Sequence, residues 1–165
     1  MTYTPAHHFD VAVIAGADVE LLDVIKTVLI EDAHLHVITA AAPELVLPLI
    51  ETTAPGVVIL DLNLPEQSGW NILAALRQHP RFGTLPVLLL TTAPEDEPRV
   101  AALNAPWINL MFKPFDLEAV LQRMQRMMQQ QSHNTREAQQ REAGAARGAA
   151  LPVVSCLPLS DNTGK

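Results

Sequence analysis

Lysine is almost missing from this chain. Of 165 residues only three are lysine (Lys26, Lys113 and Lys165), only Cys156 is cysteine, and aromatic residues make up 4%. One cysteine excludes an internal disulfide and provides no thiolate cluster for a metal. With 18 acidic against 11 basic residues the formal net charge is −7, which argues against a general grip on nucleic-acid phosphates. No apolar run approaches the ~20 residues that a membrane-spanning helix needs. The start "MTYTPAHHFD" also lacks the basic stretch and apolar run of a secretory leader. The expectation is a cytoplasmic protein that binds neither nucleic acid directly nor membrane. What is plentiful is apolar: 48% hydrophobic residues suffice for a packed core, and the length suits one domain with an appendage better than two.

Short apolar runs alternate with helical patterns five times. "FDVAVIA" (9–15) reads as a first strand, "HLHVITA" (34–40) as a second, "GVVILDL" (56–62) as a third, "LPVLLLTT" (85–92) as a fourth and "WINLMF" (107–112) as a fifth. Between them, "DVELLDVIKTVLIEDA" places Leu21, Leu22, Ile25, Val28 and Leu29 on one stripe, with Asp18 as the expected helix N-cap. "PELVLPLIETT" opens with Pro43, favoured in a first turn, while Pro48 predicts a kinked or shortened helix. "GWNILAALRQH" turns Ile72, Leu73 and Leu76 inward, "PEDEPRVAALN" is a short and acidic fourth helix, and the last helix starts near Asp116. Its stripe is Leu117, Val120, Leu121, Met124 and Met128, with Met127 beside it.

Such alternation implies parallel strands with right-handed crossovers and helices on both faces. The fold class is therefore α/β: a doubly wound, flavodoxin-like (βα)5 three-layer sandwich around a five-stranded sheet of order 2-1-3-4-5. Residues 1–131 form this domain. Residues 132–165 read as a polar, flexible tail, although "REAQQREA" is able to extend the last helix and "LPVVSCLPL" is a small apolar patch. That stretch is too short for a DNA-binding domain with its own core.

In an open sheet of this kind functional groups gather at the carboxyl ends of the strands. Those ends carry Asp61, Thr91 with Thr92, and Lys113, on three neighbouring strands. Asp61 closes a run buried on both faces, where an unpaired charge is expensive. Lys113, in the bulky setting "LMFKPF", is the cation placed to neutralise it. His34 and His36 share a strand face but have no third ligand nearby, so they read as edge histidines.

On these residues the chain resembles a response-regulator receiver domain of two-component signalling. The resemblance rests on Asp61 in "ILDLNLPEQSGW", Thr91 in "PVLLLTT" and Lys113-Pro114-Phe115, and it covers about residues 9–131. It implies that Asp61 accepts a phosphoryl group from a histidine kinase or a phosphotransfer protein. Lys113 would pair with the phosphoryl oxygens and Thr91 would donate its hydroxyl to the phosphorylated form. The Asn63 backbone carbonyl would join Asp61 as a Mg²⁺ ligand, and Lys113–Pro114 would be a cis peptide. Signalling would pass to a downstream protein partner, or to a second copy in a homodimer, through the fourth helix, fifth strand and fifth helix. Trp107 and Leu110 fall on that face.

Two departures stand out. The family's acidic pair after the first strand is replaced by Ala15 and Gly16, so Mg²⁺ is expected to bind only weakly. Leu110 occupies the position where the family often has a switchable aromatic. The sequence thus supports a stand-alone receiver in a phosphorelay with a degenerate metal site and no enzyme activity. The alternative is a phosphorylation-independent receiver that binds its partner constitutively. An aspartyl-nucleophile phosphatase of the haloacid-dehalogenase type ranks last, because Asn63 stands where that chemistry wants a second acid.

Overall fold

The computed structural model describes residues 10–148, so the apolar patch "LPVVSCLPL" and the C-terminal "NTGK" lie outside the described residues. The chain divides into two units, one ending at Ser132 and one beginning at His133. In the first unit, five parallel strands form one sheet of order 2-1-3-4-5, as expected: β1 (Val11–Ala15), β2 (His36–Ala40), β3 (Val57–Asp61), β4 (Val87–Thr91) and β5 (Ile108–Phe112). The connecting helices are α1 (Val19–Glu31), α2 (Pro43–Thr53), α3 (Ser68–Gln78) and α4 (Asp96–Ala101). The last helix, α5 (Leu117–Gly148), begins in the first unit.

The period-two geometry of a strand divides the core into two layers. Val13 and Ala15 of β1 and Val58 and Leu60 of β3 face α2 and α3, packing with Val46, Ile50, Ile72, Leu73 and Leu76. Their neighbours Ala12, Ile14, Val57 and Ile59 face α1 and α5, packing with Leu22, Ile25, Leu29, Val120 and Met124. β3 and β4 are buried along their full length, which is why both read as unbroken apolar runs rather than alternating ones.

Local chemistry explains most of the boundaries. The Asp18 carboxylate caps α1 by accepting from the Leu21 N–H at 3.1 Å. Pro48 does not shorten α2, which keeps 11 residues. The Thr52 hydroxyl donates to the Pro48 carbonyl, and the Thr53 hydroxyl to that of Leu49.

α5 differs from the expectation in two ways. Its buried line is Val120, Met124 and Met127, spaced i, i+4, i+7, so Met127 lies inside and Met128 only partly so. The helix also runs on to Gly148 through residues read above as tail. Its sequence there is rich in Ala, Gln, Glu and Arg, good helix formers that need no apolar stripe to favour the helix locally.

Two features set up the strand ends. Lys113–Pro114 is cis, as the resemblance implied. Gly69 sits where α3 meets the end of β3: a Cβ there would lie 2.7 Å from the Asp61 carbonyl oxygen and 2.8 Å from the Leu62 Cα. Alanine at this position would gain up to about 1 kcal/mol of helix propensity. Displacing two backbone segments outweighs that gain, so Gly69→Ala is expected to destabilise the fold by about 1–3 kcal/mol net. Urea denaturation of the full chain measures it.

Candidate functional site

The sheet register brings the carboxyl ends of three strands level. Asp61 is paired with Leu90 of β4, and Thr91 with Phe112 of β5. One residue further on, the Lys113 N–H donates to the Thr91 carbonyl at 2.8 Å, which carries the lysine back across the top of β4. Its ammonium reaches Asp61 Oδ2 at 2.5 Å. The other carboxylate oxygen, Oδ1, accepts the Asn63 backbone N–H at 2.8 Å. Both side chains are largely withdrawn from water, 7% exposed for Asp61 and 18% for Lys113. Asp61 is thus compensated, and the anomaly of a charge at the end of a buried strand disappears.

Thr91 is buried beside this pair but is bonded elsewhere. Its hydroxyl donates to Asp96 Oδ2 at 2.5 Å and accepts the Ala93 N–H at 3.0 Å. Asp96, the first residue of α4, is only 4% exposed. Its Oδ1 accepts from the Trp70 indole N–H at 3.2 Å and from Arg99 Nη1 at 3.3 Å. The Arg99 guanidinium in turn lies 3.9 Å from the centre of the Trp70 ring. Asp96, Trp70 and Arg99 were not singled out from sequence. The i, i+3 spacing of Asp96 and Arg99 was visible, but nothing local shows which acid of "PEDEP" turns inward.

Asn63 ties two loops together. Its amide nitrogen donates to the Thr92 hydroxyl at 3.0 Å, and its amide oxygen accepts the Thr92 backbone N–H at 3.0 Å. The remaining sequence candidates are more scattered. Trp107 and Leu110 are half-buried against the α2–α3 layer, where the chain entering β5 packs on Val87 and its neighbours. Phe112, at the end of the edge strand, is the more exposed residue at 38%. His34 and His36 are exposed at the opposite edge of the sheet.

A divalent cation would have to be held beside Asp61. Position 16 is the place for a second ligand, since a Cβ built on Gly16 lies 3.3 Å from Asp61 Cβ and 3.6 Å from its Oδ2. Glycine supplies no oxygen there, and Ala15 supplies none beside it. Asp18 is exposed and committed to capping α1. Among the described residues, no three His, Cys, Asp or Glu side chains come together. These residues do not fit a Mg²⁺ ion, which seeks carboxylate oxygens in near-octahedral array.

The family model described as the response regulator receiver domain matches residues 12–144. The chain is 33% identical over 92 residues to the transcriptional regulatory protein TctD of Salmonella typhimurium, spanning 56% of this chain and 40% of that protein. It is 36% identical over 89 residues to the transcriptional regulatory protein KdpE of Mycobacterium tuberculosis, spanning 54% of this chain and 38% of that one. Each alignment therefore covers less than half of the regulator's length. Among solved structures, the chemotaxis protein CheY4 of Vibrio cholerae superposes with a TM-score of 0.64 at 26% identity, covering 72% of this chain and 98% of that one.

The buried pair sets a clear expectation for stability. Lys113→Met leaves Asp61 charged and unpaired in a site closed to water, at a cost of about 3–5 kcal/mol. Adding Asp61→Asn to that variant removes the stranded charge and restores most of the loss. Urea unfolding of the single and double variants measures both effects, and a double variant no more stable than Lys113→Met would show that the ion pair is not what Asp61 depends on.

Proposed function

The chain belongs to the response regulator receiver family, and from that premise we propose that it receives a phosphoryl group at Asp61 and signals by protein contact. The observation that carries this reading is the meeting of Asp61 and Lys113 at the carboxyl end of the sheet, with Thr91 on the strand between them. A carboxylate oxygen of Asp61 attacks the phosphorus of a phosphohistidine on a kinase or phosphotransfer protein. The new O–P bond forms as the P–N bond breaks, and the imidazole leaves with the electron pair. Lys113 then exchanges the carboxylate for the phosphoryl oxygens, whose added charge it partly neutralises. Nothing turns over, so the chain acts as a signalling partner rather than an enzyme. The two-way bonding of Asn63 to Thr92 supports this, because it occupies the position where a phosphatase of the dehalogenase type would need a free acid.

A second reading is favoured by Gly16 and Ala15. Without a cation the transfer loses its strongest electrostatic help, and a receiver fixed in one state by the Asp61–Lys113 pair would bind its partner constitutively. Intact-protein mass spectrometry after exposure to acetyl phosphate, with and without Mg²⁺, separates the two. A single added phosphoryl group that is lost in Asp61→Asn supports the first; none under either condition leaves the second. On both readings Mg²⁺ binds weakly. Calorimetric titration of the free protein is expected to show no saturation at millimolar Mg²⁺, and a tight site would contradict the poor match of these residues to the ion. The partner-facing surface is assigned to α4, β5 and α5, where β5 is a sheet edge. Phe112→Glu is expected to weaken self-association or partner capture there, as read by sedimentation and pull-down.

A further inference from the structure

Thr91 has one hydroxyl proton, and it is already committed. The hydroxyl gives that proton to Asp96 Oδ2 at 2.5 Å, while its acceptor side takes the Ala93 N–H. It cannot donate to a group on Asp61 without first leaving Asp96. We infer that Asp96 is a positioning residue for Thr91: its buried carboxylate holds the hydroxyl away from Asp61 and sets how readily an occupied Asp61 can recruit it. The inference rests on the proposed phosphoryl-accepting role of Asp61 and adds the element against which that switch would work.

The cluster around Asp96 determines where the consequence is felt. The carboxylate has three side-chain donors: the Thr91 hydroxyl, the Trp70 indole and the Arg99 guanidinium. Thr91 belongs to β4, Trp70 to α3, and Asp96 and Arg99 to α4. Asp96 is 4% exposed, so losing the shortest of its three bonds leaves a buried charge less well satisfied. Asp96 and Arg99 then have reason to shift, and α4 has only six residues to resist with. Trp70 shares in the change twice, through its N–H to Asp96 and through the guanidinium on its ring. Trp70 also lines a cleft of about 360 Å³ with Leu73, Arg77 and Leu103. A hydroxyl that moves at the end of β4 is thereby read on the α3–α4 face.

The test uses the full chain and two variants that keep side-chain shape, Asp96→Asn and Thr91→Val. By NMR, Thr91→Val is expected to shift the Trp70 indole N–H signal and to speed amide exchange across Asp96–Ala101, with the Trp107 indole as reference. An unmoved Trp70 signal with α4 equally protected would overturn the inference. With acetyl phosphate at subsaturating concentration, Asp96→Asn is expected to raise the phosphorylated fraction about tenfold, the worth of one hydrogen bond to a charged acceptor. Adding Asp96→Asn to Thr91→Val should raise it no further than Thr91→Val alone. Where the native chain is phosphorylated, an equal fraction in Asp96→Asn would also overturn the inference, whatever the effect on stability. Coupled Trp70 signals with no phosphoryl group in any variant would support the hold of Asp96 on Thr91 and sink the phosphoryl-accepting role of Asp61.

Discussion

The contact on which the site depends is the 2.5 Å ion pair between Lys113 and Asp61. Two charges mostly withdrawn from water gain strongly from each other, yet each has forfeited much of its hydration, so the net stabilisation is small. What the pair supplies is definition. It joins the end of β3 to the residue after β5 across the intervening strand, and it fixes which way both side chains point. The Asn63 N–H on the other carboxylate oxygen completes the arrangement. A substitution at either end therefore does more harm by stranding the survivor than by removing an attraction.

Asp96 repeats this logic one strand over, with different donors. It too is a buried carboxylate on the carboxyl side of the sheet, satisfied by a hydroxyl, an indole and a guanidinium. The difference lies in what the partners can do. Lys113 and Asp61 face one another directly, while Asp96 draws in Thr91 from β4 and Trp70 from α3 besides Arg99 of its own helix. The first pair positions the Asp61 carboxylate. The second arrangement links the neighbouring hydroxyl to the helical face, and the two meet at Thr91.

Much of this was legible from sequence, for reasons that differ by element. Parallel strands buried on both faces must be nearly continuous apolar runs, so β3 and β4 announced themselves, and five alternations left few arrangements open. Asp61 and Lys113 could be paired because each was improbable alone: a carboxylate ending such a run, and one of three lysines in an apolar setting. Trp107 was read as an interface anchor from tryptophan's preference for such sites, and that preference says nothing of its packing where the chain enters β5. Met127 and Met128 were transposed because a stripe drawn from spacing alone tolerates an error of one position over three turns. Asp96 was missed for a deeper reason. "PEDEP" offers Glu95, Asp96 and Glu97 as equal candidates, and only the placement of Thr91 and Trp70 from distant parts of the chain decides among them.

Charge balance explains why the site takes the form it does. In the family pattern, two acids beside the acceptor aspartate and one lysine leave two negative charges uncompensated, and a divalent cation is the natural counterweight. Here Ala15 and Gly16 carry no charge, so Asp61 and Lys113 sum to zero. The same balance holds for Asp96 and Arg99. Neither pair has a surplus with which to attract a cation, and a Cβ-less residue at position 16 lets the chain approach Asp61 closely in place of a ligand. Adding a phosphoryl group to such a site places its new charge against one lysine that already has a partner. On the proposed reading, the energetic burden of switching would fall on the few hydrogen bonds able to rearrange, and the one nearest at hand is the bond between Thr91 and Asp96.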